Sequence, residues 1–151
     1  VLLAEIQGRG TLCARAVQIL GEIRSLSAVP ALTALLAEEK DPQVRAACAA
    51  AIGQTANPDA VPALLQGLDD PFREVRAQCA WALGRMGDPS ACPQLDGVLL
   101  GDSYWWARVR AAEALSKLEE GRKVLERHTR ASDPALRSLA EEMLFLAGRG
   151  R

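Results

Sequence analysis

The side chains that could do chemistry in this chain are four cysteines, one histidine, evenly spaced Asp and Arg residues, and a run of three aromatics. Thiolates are nucleophiles and metal ligands, and paired thiols can form disulfides. Cys13, Cys48, Cys79 and Cys92 are separated by 35, 31 and 13 residues, so no two stand at the short spacing of a zinc half-site. Cys48 and Cys79 share a column with Ala16 and Ala111, and Cys92 one with Val29 and Val61, so the expected role is core packing. Unbridged thiols suit a reducing, cytoplasmic setting. His128 is the only histidine, and no Ser or Cys nucleophile motif accompanies it. The expectation is a partly exposed helical histidine, no catalytic residue, no metal, no cofactor and no enzymatic activity.

Charged residues repeat in both signs. Arg45, Arg76, Arg108 and Arg137 recur at intervals of 31, 32 and 29 residues, and Asp41, Asp70, Asp102 and Asp133 at 29, 32 and 31. Arginines alone could form an anion-binding ladder. Matching periodicity of both signs favours a structural ladder, in which Asp–Arg pairs tie each turn to the next helix through fork-shaped, charge-assisted bonds.

Three of the six aromatic residues, Tyr104, Trp105 and Trp106, are consecutive. Consecutive helical residues fan over about 200°, so all three cannot enter one buried stripe. Trp81 falls in a column otherwise holding Gln18, Ala50 and Glu113, and Trp106 in one holding Gln43 and Glu74. Those occupants predict that both tryptophans sit on the outer surface, on adjacent helices. Trp81, Tyr104, Trp105 and Trp106 therefore form a candidate interaction patch. The competing reading is that residues 104–106 staple a weakened fourth helix pair.

Such columns exist because the chain repeats. Gly21, Gly53 and Gly84 are 32 and 31 residues apart, and Ser116 follows after 32 more. Ala28-Val29-Pro30-Ala31-Leu32 and Ala60-Val61-Pro62-Ala63-Leu64 are identical, and Ala91-Cys92-Pro93-Gln94-Leu95 differs at two positions. Within each repeat, apolar residues recur at helical spacing, as in Val44, Cys48, Ala51 and Ile52. Asp41-Pro42, Asp70-Pro71 and Asp133-Pro134 place a capping carboxylate before proline. The second helices are expected to open at Ser27, Asp59 and Ser90, with Pro30, Pro62 and Pro93 at their third positions.

Neither helix of a pair can bury its stripe alone, so the pairs must stack. The predicted fold is all-α: a right-handed α–α superhelix of about four hairpins with a C-terminal capping helix. Its repeats span about 10–40, 41–70, 71–102 and 103–131, with a terminal helix at 132–148, in a single domain over 1–151. In the fourth pair Leu125 fills the proline column, and a short helix near residues 122–130 is expected. A glycine stop is expected at Gly148. An apolar edge at Val1, Leu2, Leu3 and Ile6 suggests a fragment whose upstream repeats covered it, or a surface for self-association.

Composition narrows the classes. Ala and Leu make up about a third of the chain and aromatics 4%, which favours helix over sheet. The longest apolar run, Ala46 to Ile52, is far too short to span a bilayer. Eighteen basic against 19 acidic residues give a net charge of −1, which disfavours wrapping of a polyanion. Residues 103–151 carry 10 basic and 7 acidic side chains, a local excess that could meet an anionic partner. The second-helix face, with Thr33, Ala34, Ala37, Glu38, Gln66, Asp69, Asp96 and Gly97, reads as mild and slightly acidic.

The unit Asp41-Pro42-Gln43-Val44-Arg45 through Ile52-Gly53, followed by Ala60-Val61-Pro62-Ala63-Leu64, resembles the HEAT-like repeats named after phycobilisome lyases. The resemblance covers nearly the whole chain and implies the solenoid fold. It implies no single function, since that family spans bilin lyases, hydroxylases, scaffolds and membrane-anchored bacterial proteins. The paired His-Glu ligands of its iron-dependent hydroxylases have no counterpart here. Trp105-Trp106-Ala107-Arg108-Val109-Arg110-Ala111-Ala112-Glu113-Ala114-Leu115 resembles the terminal repeat of some bacterial members that follow a membrane-anchored region, so membrane contact would come only through missing parts of a longer parent. The expected function is a non-catalytic scaffold with a protein partner. The alternatives are a bilin-lyase-like subunit and, on Trp105, Trp106 and Arg108, a nucleic-acid-binding repeat protein.

Overall fold

Short polar side chains and prolines start most of the helices, because each satisfies or removes an orphan amide. In this computed structural model, which describes residues 10–149, Asp41 accepts from the Gln43 amide at 2.9 Å and α3 begins at Pro42. Asp133 accepts from the Ala135 amide in the same way, ahead of the last helix. The expected apolar edge at Val1, Leu2, Leu3 and Ile6, and with it the self-association surface, lies outside the described residues, as do Gly150 and Arg151.

The described residues form nine α-helices and no strand: α1 (Gly10–Glu22), α2 (Val29–Glu38), α3 (Pro42–Thr55), α4 (Val61–Gly67), α5 (Arg73–Met86), α6 (Cys92–Gly101), α7 (Trp105–Lys117), α8 (Glu119–His128) and α9 (Pro134–Arg149). Helices α1, α3, α5 and α7 pack side by side as one layer, with α2, α4, α6 and α8 as the second. In the first three repeats the closest contacts between layers cross the repeat boundary, with α2 on α3, α4 on α5 and α6 on α7, whereas in the fourth α7 packs on its own partner α8. Short turns make those connections, whereas a 3₁₀ turn separates the two helices inside each of the first three repeats.

The glycine column has a steric cause. A Cβ on Gly21, Gly53 or Gly84 would lie 2.8, 3.0 or 2.7 Å from the Cα of Ala51, Ala82 or Ala114 on the next first helix. Glycine facing alanine lets the backbones of this layer approach closely. Between the layers runs one continuous core in which Leu32, Val44, Ile52, Leu64, Val75, Leu83, Leu95, Leu99, Leu115 and Leu125 are fully buried. Ser116 is buried too, and its hydroxyl donates to the Glu113 carbonyl at 2.7 Å.

Several expected boundaries move. The second helices open through 3₁₀ turns at Leu26–Ala28, Pro58–Ala60 and Pro89–Ala91, so Ser27, Asp59 and Ser90 lie inside those turns. Asn57 and Asp88 provide the caps, accepting from the Asp59 and Ser90 amides at 3.0 and 2.8 Å. Pro30, Pro62 and Pro93 are consequently second in their helices. Asp70 bonds the Phe72 amide at 2.8 Å in a turn, and α5 starts only at Arg73. Helix α8 is not short: it starts directly after Leu118 and matches the ten residues of α2 and α6. Helix α9 continues through Gly148 to Arg149.

Candidate interaction surface

The periodic arginines join neighbouring turns. Arg45 on α3 holds both carboxylate oxygens of Asp70 at 2.8 and 2.9 Å, and its Nη1 donates back to the Glu39 and Lys40 carbonyls. Arg76 on α5 repeats the pattern with Asp102 at 2.6 and 2.8 Å and with the Asp70 and Pro71 carbonyls. Each guanidinium thus ties the turn before its own helix to the equivalent turn one repeat later. Arg108 donates to the Leu99 carbonyl at 2.8 Å and reaches Asp133 only at 3.4 Å. Arg137 and Asp41 have no ion-pair partner among the described residues, and Cys13 holds the α1 position equivalent to Arg45. The ladder is therefore tight in the middle and loose at its ends.

Electrostatics follow this geometry. Partial burial works against ionisation of Asp70, but Arg45 and the Phe72 amide outweigh it and hold the carboxyl below the usual range. The Arg76 guanidinium does the same for Asp102, overcoming burial with help from the Tyr104 amide.

The aromatic residues divide into two groups. Trp81 is half-buried against Gly53 of the preceding repeat, where Arg85 stacks on its ring at 5.7 Å and donates to the Gly53 carbonyl at 3.2 Å. It fills the space above a side-chain-free position, which corrects the expectation of a fully outward tryptophan. Trp105 and Trp106 are 46% and 47% exposed at the start of α7, while Tyr104 is half-buried just before them. An arginine covers each: Arg73 on Tyr104 at 4.9 Å, Arg108 on Trp105 at 5.2 Å and Arg110 on Trp106 at 4.9 Å. Arg110 is held in turn by Glu113 at 2.9 Å. The result is a patch of two large, exposed rings fixed by cation–π contacts. Of the stacking arginines only Arg108 stands out in the sequence, as a ladder residue and beside Trp105 and Trp106; the helical neighbour spacing of Trp105/Arg108, Trp106/Arg110 and Trp81/Arg85 is the signal for all three pairs.

The remaining candidates are placed as follows. All four cysteines are buried and none is in a disulfide among the described residues, and burial pushes the Cys48 thiol up to about 12. His128 lies 2.7 Å from Asp96 one repeat earlier, joining α8 to α6. No group of His, Cys, Asp or Glu suited to a metal occurs among the described residues, and none of their helices is long and apolar enough to cross a membrane. The second-helix residues Ala34, Ala37, Glu38, Gln66, Asp69 and Gly97 are exposed, and Thr33 and Asp96 half-exposed.

The sequence model of HEAT repeats matches residues 10–71 and 61–144. No curated protein matches this chain in sequence. Among solved structures, the chain is similar to the complex of CpcE and CpcF of phycocyanin lyase from Nostoc sp. PCC7120, with 21% identity, 95% of each chain covered and a TM-score of 0.74. It is similar as well to a designed armadillo repeat protein in complex with the peptide (KR)4, at 20% identity over 95% of this chain and 79% of that one, TM-score 0.65. An engineered protein aligns at 20% identity over 95% and 76%, TM-score 0.64. At these identities the likeness is one of fold.

Proposed function

Because this chain belongs to the HEAT-repeat family, we propose that it is a non-catalytic interaction module whose protein partner docks on Tyr104, Trp105 and Trp106. The observation that carries this reading is the exposure of Trp105 and Trp106 with their rings held by Arg108 and Arg110. Large aromatic surfaces ordered before binding lose little entropy on docking, and Trp and Arg dominate interface hot spots. The structural neighbours support a partner of this kind, since one is a complex of two named chains and another a complex with a peptide. Trp81 drops out of the patch, because its ring is committed to packing on α3.

The test is affinity capture with the wild type and with Trp105→Ala/Trp106→Ala, after circular dichroism has shown equal helicity. Loss of a partner that the wild type retains supports the reading, and equal recovery removes it. A lyase-subunit role is the second reading, favoured by the 95% coverage in both directions with the CpcE/CpcF structure. Mixing with a linear tetrapyrrole tests it, and an unchanged absorption spectrum disposes of it.

A further inference from the structure

Helix α4 has seven residues where α2 and α6 have ten, so its last turn is missing. Between its end, the following turn and α6 lies a groove of about 620 Å³. Leu65, Leu68 and Val98 line its apolar part. Gly97 and Gly101 keep it open, since a Cβ on either would meet nothing within 4 Å.

The charge of the groove has one sign left over. Asp70, Asp102 and Arg76 line it, but Arg45 holds Asp70, and Arg76 is taken up by Asp102 and by the Asp70 and Pro71 carbonyls. Asp69 also lines it, is exposed, and has no ionic partner among the described residues. Helices α4 and α6 both end there; Arg108 takes the Leu99 carbonyl, and the remaining carbonyls of the two helix ends carry partial negative charge. Gln94 and Ser103 add neutral hydrogen-bonding groups at the rim.

We infer that this groove docks an extended peptide that presents an arginine or lysine side chain to Asp69. The methylene stem of such a side chain suits the Leu65, Leu68 and Val98 surface, while its cationic head meets Asp69 and the helix ends. The volume lies in the range of small-ligand sites and exceeds that of one side chain, which leaves room for flanking backbone beside Gln94 and Ser103. None of Tyr104, Trp105 and Trp106 lines the groove, although its rim at Ser103 adjoins them in the chain.

Fluorescence anisotropy tests this with a fluorescein-labelled peptide of alternating arginine and alanine, and with its glutamate counterpart. The wild type binds the arginine peptide, more weakly as salt is raised, and does not bind the glutamate peptide. Asp69→Asn weakens binding about fivefold or more. Gly97→Leu fills the groove from an exposed helical position, so it abolishes binding while melting stays at or above the wild-type temperature. Trp105→Ala/Trp106→Ala leaves the peptide affinity unchanged, which separates this site from the proposed partner surface. Failure of the wild type to bind, or equal binding by Asp69→Asn or Gly97→Leu, overturns the inference.

Discussion

Arg76 grips both oxygens of Asp102, at 2.6 and 2.8 Å, across a separation of 26 residues, and this pair ties α5 to the turn that leads into α7, the first helix of the fourth repeat. Both side chains are largely shielded, 17% and 5% exposed, so the bond operates with little screening by solvent. Its strength is that of a bidentate charge-assisted contact whose loss leaves a half-buried guanidinium with only the Asp70 and Pro71 carbonyls to bond.

Asp102→Ala should therefore lower stability by about 2–4 kcal/mol in urea titration. Asp133→Ala should cost far less, because its contact with Arg108 is 3.4 Å and its side chain is 47% exposed. Equal losses would contradict the graded ladder.

Acid should remove the same stabilisation. Asp70 and Asp102 titrate below their ordinary range in the folded chain. A depressed folded value means the contribution is complete above the unfolded carboxylate pKa of about 3.9, and disappears as pH falls through the folded values. Urea midpoints from pH 7 down to 2.5 should fall steeply below about pH 4. Asp70→Asn/Asp102→Asn should flatten that fall, and a curve parallel to the wild type would count against the assignment.

Two glycines should respond oppositely to alanine. Gly84→Ala drives a methyl group to 2.7 Å from the Ala114 backbone and should cost about 1–3 kcal/mol. Gly97→Ala meets open space in mid-helix and should gain up to about 1 kcal/mol. Thermal melts distinguish the two.

Helix ends offer a third comparison. Arg24, Ala56 and Gly87 stand at the same register after α1, α3 and α5, with φ of 50°, 53° and 72°. Only the last has the residue suited to left-handed backbone. Ala56→Gly should raise stability by about 0.5–1 kcal/mol, and Gly87→Ala should lower it by a similar amount.

The thiols should be silent in the native state. All four are buried, and burial disfavours the thiolate at Cys48 and Cys79. A disulfide exchange reagent at pH 8 should label them only after urea is added. Fast labelling of the folded chain would show that the core opens.

Periodicity made most of the fold legible. Gly21, Gly53 and Gly84 revealed the repeat length in the sequence, and the structure supplies the cause, close contact with Ala51, Ala82 and Ala114. Helix starts were less legible. Asn57 and Asp88 cap 3₁₀ turns rather than α-helices, and one-dimensional spacing does not separate a tight turn from the helix that follows it. With Leu125 in the proline column the sequence suggests a short helix near residues 122–130, whereas α8 starts at Glu119 because Leu118 alone links α7 to α8. Gln18 and Glu113 in its column point Trp81 outward, yet the ring is half-buried. A large ring can fold back over a glycine on the neighbouring helix, which a column of Gln18, Ala50 and Glu113 does not disclose. The pairing of His128 with Asp96 was within reach, since their 32-residue separation is one repeat.

Hydroxyl-radical footprinting of the free chain and of its complex with the captured partner tests the proposed interface most directly. Trp105 and Trp106 should oxidise readily in the free chain and be protected in the complex, with Trp81 slow in both. Equal oxidation of Trp105 and Trp106 in the two states would place the partner elsewhere and contradict the proposal.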